Sequence, residues 1–245
     1  MNRALGRLPA KRPVGLRDLR SYVGGLDTAP EVFDFTGTLR DWKMLGNGPD
    51  PTLTISSHPL GDCAFAGAAH LVMATAVETH QTIPAFTSDE VAEAYLRFTN
   101  GVDSGACLAD VLAVWRQLGL WGARIDGYAP TPLQDLWDAT YAFGACYIGV
   151  AMPQSAMDQH ERGESWTVVP SSPIVGGHCV VLVSRTTSGG EVITWGERQG
   201  VTDAWLETYV EEAWSVVTPE QGRGNGYDCD HQALIAELEA LDHLR

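Results

Sequence analysis

Cys63 and His178 are the two side chains in this sequence whose types and settings suit covalent catalysis. Cys63 lies in the run Gly-Asp-Cys-Ala-Phe-Ala at the predicted start of an apolar helix, where the positive end of the helix dipole favours a thiolate. His178 follows two glycines and begins an apolar run that predicts a buried strand. A thiol beside an imidazole can form a thiolate–imidazolium pair, the reactive form of a cysteine nucleophile.

The same two residues also admit a purely structural interpretation. Cys63 would then be an unreactive cysteine at a buried helix start, and His178 a strand-edge histidine bonded to a carbonyl group. The Gly and Asp before Cys63 and the Ala after it favour an exposed helix start. The two glycines before His178 permit close approach of another backbone. We therefore favour the catalytic interpretation for both residues.

Composition limits the kind of protein that carries this pair. The chain has 245 residues, 44% of them hydrophobic and 19% charged, an ordinary balance for one large globular domain or two small ones. Its formal net charge is −15, but the first twenty residues hold six basic residues and one Asp, which leaves −20 for the remainder. The acidic body argues against nucleic acid as a partner of the main domain.

The cysteines and the apolar runs bear on the compartment. No run approaches the ~18 apolar residues of a membrane span, and the charged N-terminus lacks the apolar core of a secretory signal. Cys146 and Cys179, two of the five cysteines, lie in apolar runs typical of buried thiols. We expect a reducing compartment, cytoplasmic or virion-associated, and no membrane contact. The run from Cys229 to His231 is too compact for a zinc site, and no cofactor is implied.

The chain divides into three predicted regions. Residues 1–30 are rich in Arg, Pro and Gly and predict an extended basic arm. This arm could contact an acidic partner, nucleic acid or its own domain, or lie partly disordered on the surface. Residues 31–220 form the main domain. The glycine-rich run at 222–226 indicates a linker, so residues 221–245 are predicted to be a linker and an acidic helix.

Helical patterns come first along the chain and strand patterns second. Apolar spacing predicts helices at 62–78, about 91–98, 109–118, 132–143, 203–212 and 232–244, with Asp62 as the N-cap of the first. Apolar runs predict a short strand at 32–35 and longer ones at 145–151, 178–184, 191–195 and 213–217. This order predicts an α+β fold, in which an N-terminal helical half with a central nucleophile helix packs on a C-terminal antiparallel β half.

This layout resembles the papain-like cysteine peptidases over about residues 32–218. Four runs carry the resemblance in the family's order: Phe-Asp-Phe at 33–35, Gly-Asp-Cys-Ala-Phe-Ala at 61–66, Gly-Gly-His-Cys-Val-Val-Leu-Val at 176–183 and Val-Ile-Thr-Trp-Gly at 192–196. They are similar to the family's Asp-Trp run, its Gly-Ser-Cys-Trp-Ala-Phe helix start, its His-Ala-Val strand and its Asn-Ser-Trp-Gly run. The chain also resembles compact sequences common in actinobacterial and phage genomes.

The resemblance implies a role for four residues. Cys63 would be the nucleophile, and His178 the general base and acid. The family's orienting Asn has no counterpart here, so Thr194 is the candidate orienter, with Glu197 second; otherwise Thr194 is a β-branched strand residue. The family's oxyanion-stabilising Gln is also missing, and Asn47 is the candidate amide donor beside the Cys63 N–H, or else a turn residue.

Two functions of different class follow from these features. The first is a cysteine hydrolase that acts on a peptide or isopeptide bond of a peptide or protein substrate; a transferase or amidase would use the same dyad. The second is a catalytically degenerate papain-fold structural or binding protein, for example a phage virion or assembly component. Such a protein would contact other virion or assembly proteins through the basic arm. The ordered Cys, His and Trp-Gly pattern favours the first, and the missing Asn and Gln favour the second.

Overall fold

An antiparallel sheet and one helix packed on it organise the chain. The computed structural model describes residues 3–219 and 229–242. The strands are β1 (Phe33–Asp34), β2 (Gly127–Pro130), β3 (Cys146–Pro153), β4 (Ile174–Thr186), β5 (Gly189–Thr194), β6 (Glu197–Thr202) and β7 (Val210–Val217). Their order is β2-β7-β3-β4-β5-β6, and β1 pairs with β4 outside this path. Strand β4 is therefore central and carries His178 into the core.

The longer helices lie mostly before the main strands. They are α1 (Cys63–Glu78), α2 (Ser88–Phe98), α3 (Leu108–Leu118), α4 (Leu136–Phe143), α5 (Gln154–Glu161), α6 (Asp203–Tyr209) and α7 (His231–Asp242). This arrangement confirms the predicted α+β class, with a central helix on an antiparallel sheet. Within the described ranges, no helix is both long and apolar enough to cross a membrane.

Helix α1 is central because it is apolar on every side. Each of its residues from Cys63 to Leu71 is buried, and the helix packs on β4 and β3. Gly67 makes the close approach possible, since a Cβ there would lie 2.8 Å from Sγ of Cys179 and 2.9 Å from Cε2 of Tyr147. The helix thus lies directly on the sheet, one turn after Cys63.

Asp62 is the N-cap residue of α1, as predicted, but its side chain does not cap the helix. Its carboxyl group makes no capping hydrogen bond, and both of its oxygens are buried without a partner. Burial raises the pKa of this carboxyl well above its ordinary value. The capping box that forms is the one on α2, where Thr87 Oγ1 accepts from the Glu90 N–H at 3.2 Å and the Thr87 N–H donates to the Glu90 carboxylate at 2.9 Å.

Several boundaries differ from the prediction. The helix predicted at 203–212 ends at Tyr209, because residues 210–212 pair with β3 as the start of β7. Strands β2 and β6 and helix α5 were not predicted, since their polar residues and glycines interrupt the regular spacing of apolar residues. The C-terminal helix extends to Asp242, while the glycine-rich run at 222–226 and residues 243–244 lie outside the described residues.

Two segments within residues 3–30 pack against the rest of the chain. We call residues 4–8 the slot segment and residues 16–23 the anchor segment. The slot segment hydrogen-bonds to loops and to β4. The anchor segment buries apolar side chains in the main core together with two leucines of α7; these side chains are Leu16, Leu19, Tyr22, Val23, Leu234 and Leu238. Of the alternatives for the arm, the described residues show contact with its own domain.

Candidate active site

The packing of α1 on β4 brings the start of α1, with Cys63, next to the part of β4 that carries His178. Cys63 is the first residue of α1, and His178 lies near the start of the buried part of β4, opposite Val150 of β3. The backbone of Cys179, the residue after His178, hydrogen-bonds to the Cys63 thiol. Both side chains have an exposed fraction of 0%.

The imidazole of His178 is held on one edge and on one face. Its Nε2 lies 2.7 Å from Oγ1 of Thr194, and its ring stacks on Trp195 with centroids 4.5 Å apart and planes 19° apart. Its Nδ1 is buried and has no hydrogen-bond partner. With Thr194 Oγ1 as acceptor, Nε2 carries the hydrogen and Nδ1 presents its lone pair. This is the tautomer that a general base requires.

A tight turn at the end of β5 places Thr194 and Trp195. Trp195 and Gly196 have φ values of +47° and +78°, so two successive residues are left-handed. A Cβ at Gly196 would lie 3.0 Å from the backbone of Lys43 and of Met44, a tight approach that, together with the positive φ, favours glycine. The Trp-Gly turn therefore docks on the segment that leads to Asn47.

Asn47 lies beside the slot segment. The carbonyl oxygen of Asn47 accepts from the Ala4 N–H at 3.1 Å, and its buried side-chain Oδ1 has no partner. The neighbouring Gly46 carbonyl accepts from the N–H of Leu60, which ties this loop to the start of α1. Glu197, the second candidate orienter, is exposed.

Burial keeps both reactive groups neutral in this conformation. Burial raises the pKa of the Cys63 thiol to about 11. Burial also lowers the pKa of His178 to about 3, and the charge of Arg7 and the protonated forms of His160 and His70 act in the same direction. A thiolate–imidazolium pair needs the opposite shifts. The structure therefore holds the pair as thiol and imidazole.

The slot segment covers the thiol. The segment lies in a slot between the loop at Ala106 and strand β4 at Gly177. The backbone of Gly6 hydrogen-bonds to Cys63, and the Gly6 carbonyl accepts from the Ala106 N–H at 2.8 Å on the first wall. On the other wall the Arg7 N–H donates to the Gly177 carbonyl at 3.0 Å. An extended peptide thus crosses the Cys63 thiol and is held from both sides by its backbone.

Glycines form the walls of this slot. A Cβ on Gly6 would lie 1.8 Å from the carbonyl oxygen of Gly61, and one on Gly105 would lie 2.3 Å from the carbonyl oxygen of Gly6. A Cβ on Gly177 would lie 2.3 Å from the carbonyl oxygen of Arg7. The sequence contained one signal of this slot, the glycine pair before His178, but it did not identify the segment that fills it.

Other polar candidates serve structural roles. His70 is buried within α1, with Nε2 3.0 Å from the Lys43 carbonyl oxygen, and burial lowers its pKa to about 4. His58 is exposed and bonds to Ser56. Across residues 3–219 and 229–242, no group of three or more His, Cys, Asp or Glu residues could hold a metal ion.

The fold is that of the papain-like cysteine proteases. It is similar to xylellain, a cysteine protease from Xylella fastidiosa, with a TM-score of 0.62 and 14% identity over 89% of this chain and 98% of that one. It is also similar to a chain from a structural study of the mite allergens Blo t 1 and Der p 1, with a TM-score of 0.55 and 12% identity over 85% of this chain and 74% of that one. No protein-family model matches the sequence, and the comparison with curated proteins gives no match. At these identities the likeness shows the fold.

Proposed function

We propose that this protein is a cysteine protease that hydrolyses a peptide or isopeptide bond with Cys63 and His178. The observation that carries the proposal is the slot segment itself, because an extended peptide lies across Cys63 with its backbone bonded to both walls. The likeness in fold to a cysteine protease supports the same activity. The substrate class is therefore a peptide in an extended conformation.

The reaction would proceed through a thioester. Cys63 Sγ attacks the carbonyl carbon of the substrate while its proton passes to Nδ1 of His178. The imidazolium then donates this proton to the leaving nitrogen as the C–N bond breaks. A water molecule, deprotonated by His178, attacks the thioester carbon, and the C–S bond breaks to regenerate the thiol and release the acid.

Two further residues would assist these steps. Thr194 keeps the ring in the tautomer with hydrogen on Nε2, a positioning role that an Asn performs in the family. The backbone N–H of Cys63 and the side-chain amide of Asn47 would stabilise the oxyanion of the tetrahedral intermediate. Because the slot is filled and both groups are neutral, the slot segment must leave before a substrate enters.

Selective labelling of Cys63 tests the proposal. The full chain is treated with a papain-directed epoxide, and separately with limiting iodoacetamide from pH 5 to 8, and the modified cysteines are mapped by peptide mass. We expect Cys63 to be labelled at acidic pH, because opening of the slot exposes an activated thiolate–imidazolium pair. When the slot is mostly closed, the labelling rate is lower at every pH, but its dependence on pH is the same. Cys107 and Cys229, which are partly buried, serve as internal references.

Matched histidine variants make the result specific. His178→Gln should abolish acidic labelling and the hydrolysis of fluorogenic peptides, whereas His70→Gln removes an equally buried histidine outside the dyad and should keep both. Labelling of Cys63 that rises only near the ~8.5 pKa of a free thiol, at equal rates in both variants, would contradict the proposal.

A binding or structural role is the second candidate. The filled slot and the neutral pair favour it, since the structure holds a form that does not react. In this case the arm would serve assembly with a partner such as a virion or assembly protein. A chain that releases its slot segment yet hydrolyses no peptide would support this candidate over the first.

A further inference from the structure

Arg7 carries the charge of the slot segment, yet its side chain is buried beside Cys63 and His178. Its exposed fraction is 6%. Its Nη1 donates to Oε1 of Glu212 at 3.1 Å, and its Nη2 donates to a carboxylate oxygen of Glu211 and, at 3.4 Å, to the Val150 carbonyl oxygen. Two nitrogens of one guanidinium therefore meet two carboxylates and a backbone carbonyl, which is an arrangement suited to arginine.

The walls of this pocket are built for that side chain. A Cβ on Gly149 would lie 2.6 Å from Cδ of Arg7 and 2.7 Å from Cγ of Glu212, so only glycine leaves room for the stem of the arginine. The second oxygen of Glu212 accepts from Nε1 of Trp214 at 2.8 Å, which fixes the direction of the carboxylate. Glu212 is itself 9% exposed.

The pocket adjoins the reactive pair. Arg7 follows Gly6, whose backbone hydrogen-bonds to the Cys63 thiol, and the charge of Arg7 acts on both Cys63 and His178. A peptide that replaced the slot segment would therefore meet the pocket within one residue of the position over the thiol.

We propose that Glu212, Glu211, the Val150 carbonyl and Gly149 form a recognition pocket for an arginine side chain of the peptide ligand, and that Arg7 occupies it in the closed form. The proposal rests on the proposed function, in that it takes the ligand to be a peptide in the slot. A buried carboxylate with one fixed partner is poorly satisfied when Arg7 leaves, because it loses its cation. An incoming guanidinium restores that partner, whereas a neutral side chain of similar size does not.

Peptides that differ in one group test the pocket. The protein is the full chain with Arg7→Ala, which empties the pocket, and with Cys63→Ala, which prevents turnover. The probes are fluorescent peptides of sequence Ala-Leu-Gly-Arg-Leu-Pro, matching residues 4–9, with arginine, citrulline or lysine at the fourth position. We expect the arginine peptide to bind at least tenfold more tightly than the citrulline peptide by fluorescence anisotropy, with the lysine peptide in between.

The pocket residue and a matched control are then changed in the same background. Glu212→Gln keeps an acceptor for Trp214 and should reduce the arginine-to-citrulline ratio to threefold or less. Glu207→Gln makes the same change on an exposed residue of α6 and should leave the ratio unaltered. Should Glu212→Gln fail to fold by circular dichroism, Glu211→Gln, at the half-exposed edge of the pocket, should lower the ratio instead. Equal binding of arginine and citrulline peptides, or a ratio insensitive to these glutamates, would overturn the proposal.

Turnover separates this proposal from the proposed function. The same peptides are incubated with the Arg7→Ala chain that retains Cys63, and products are followed by mass. Selective binding of the arginine peptide without cleavage of any peptide would leave the pocket in place and refute the hydrolase. Cleavage of arginine and citrulline peptides at equal kcat/KM would refute the pocket and leave the hydrolase in place.

Discussion

The slot segment and the anchor segment belong to the same N-terminal arm but bind the domain by different physics. The slot segment, residues 4–8, is held by backbone hydrogen bonds and one guanidinium against walls of glycine. The anchor segment, residues 16–23, buries Leu16, Leu19, Tyr22 and Val23 in the main core. It also hydrogen-bonds through the Tyr22 carbonyl to the Asp230 N–H, just before α7.

This difference teaches which part of the arm can move. Backbone hydrogen bonds contribute only about 1 kcal/mol each, because water replaces them when the segment leaves. A buried Leu contributes about 2–3 kcal/mol by removal of apolar surface from water, which nothing replaces. Residues 9–15 connect the two segments and are mostly exposed. The slot segment can therefore leave the thiol while the anchor segment keeps the arm attached.

The largest expected effect comes from the anchor segment. Leu19 has an exposed fraction of 0%, so Leu19→Ala leaves a cavity in the core and should lower the free energy of unfolding by about 3 kcal/mol, measured by urea denaturation. The matched control is Leu118→Ala, which removes the same atoms from a side chain that is 72% exposed and should cost less than about 0.5 kcal/mol. Equal stability losses for the two variants would show that the anchor segment contributes little to the core.

A smaller effect, with a different readout, is expected from the slot segment. Gly6→Ala would place a Cβ 1.8 Å from the Gly61 carbonyl oxygen, so the segment cannot keep its position over the thiol. We expect iodoacetamide to label Cys63 roughly 30-fold faster, equivalent to about 2 kcal/mol of docking free energy, and the free energy of unfolding in urea to fall by no more than that amount.

The control for this variant is Gly25→Ala in the same arm, where an added Cβ meets no atom within 4 Å. It should label at the wild-type rate. If Gly6→Ala instead lowers stability as much as Leu19→Ala and labels no faster, the two segments behave as one unit and the comparison fails.

The sequence predicted the elements that carry Cys63 and His178 better than it predicted the slot segment that covers them. The helix and the strand that carry Cys63 and His178 could be predicted because a helix start and a buried strand have strong local patterns, and the structure packs these two elements together. The contact of Thr194 with His178 followed from its place before the Trp-Gly turn. These are local features, or pairs of local features, that a single sequence contains.

The filled slot could not be predicted, because it depends on contacts between distant residues. Arg7 meets Glu212 across 205 positions of sequence, and nothing in the local pattern at residues 4–8 indicates a partner. The expectation of an exposed helix start at Cys63 was wrong for the same reason, since Gly6 covers a thiol that the local residues would leave open. The basic composition of the arm left an acidic partner, nucleic acid and its own domain open as contacts, and it did not indicate which residues the arm would meet.

The smallest expected effect separates two buried histidines. His178 and His70 both have a pKa lowered by burial, to about 3 and about 4, so neither should titrate between pH 8 and 5 by NMR of the ring protons. Both therefore add stability that is complete above the unfolded pKa of ~6.5 and is lost as the pH falls towards the folded values. In the Gly6→Ala chain, water reaches His178 and Arg7 moves away. The pKa of His178 should therefore rise towards its ordinary value.

His70 is the internal control for this titration, because it lies within α1 and its Nε2 bonds to the Lys43 carbonyl. Its pKa should stay near 4 in the Gly6→Ala chain, and the acid sensitivity of unfolding should shrink by the contribution of His178 alone. A joint rise of both values would mean that α1 itself loosens, so that the slot and the core are not independent. If His178 stays silent above pH 5 while Cys63 labels faster, the segment uncovers the thiol without admitting water to the imidazole, and activation needs a further step.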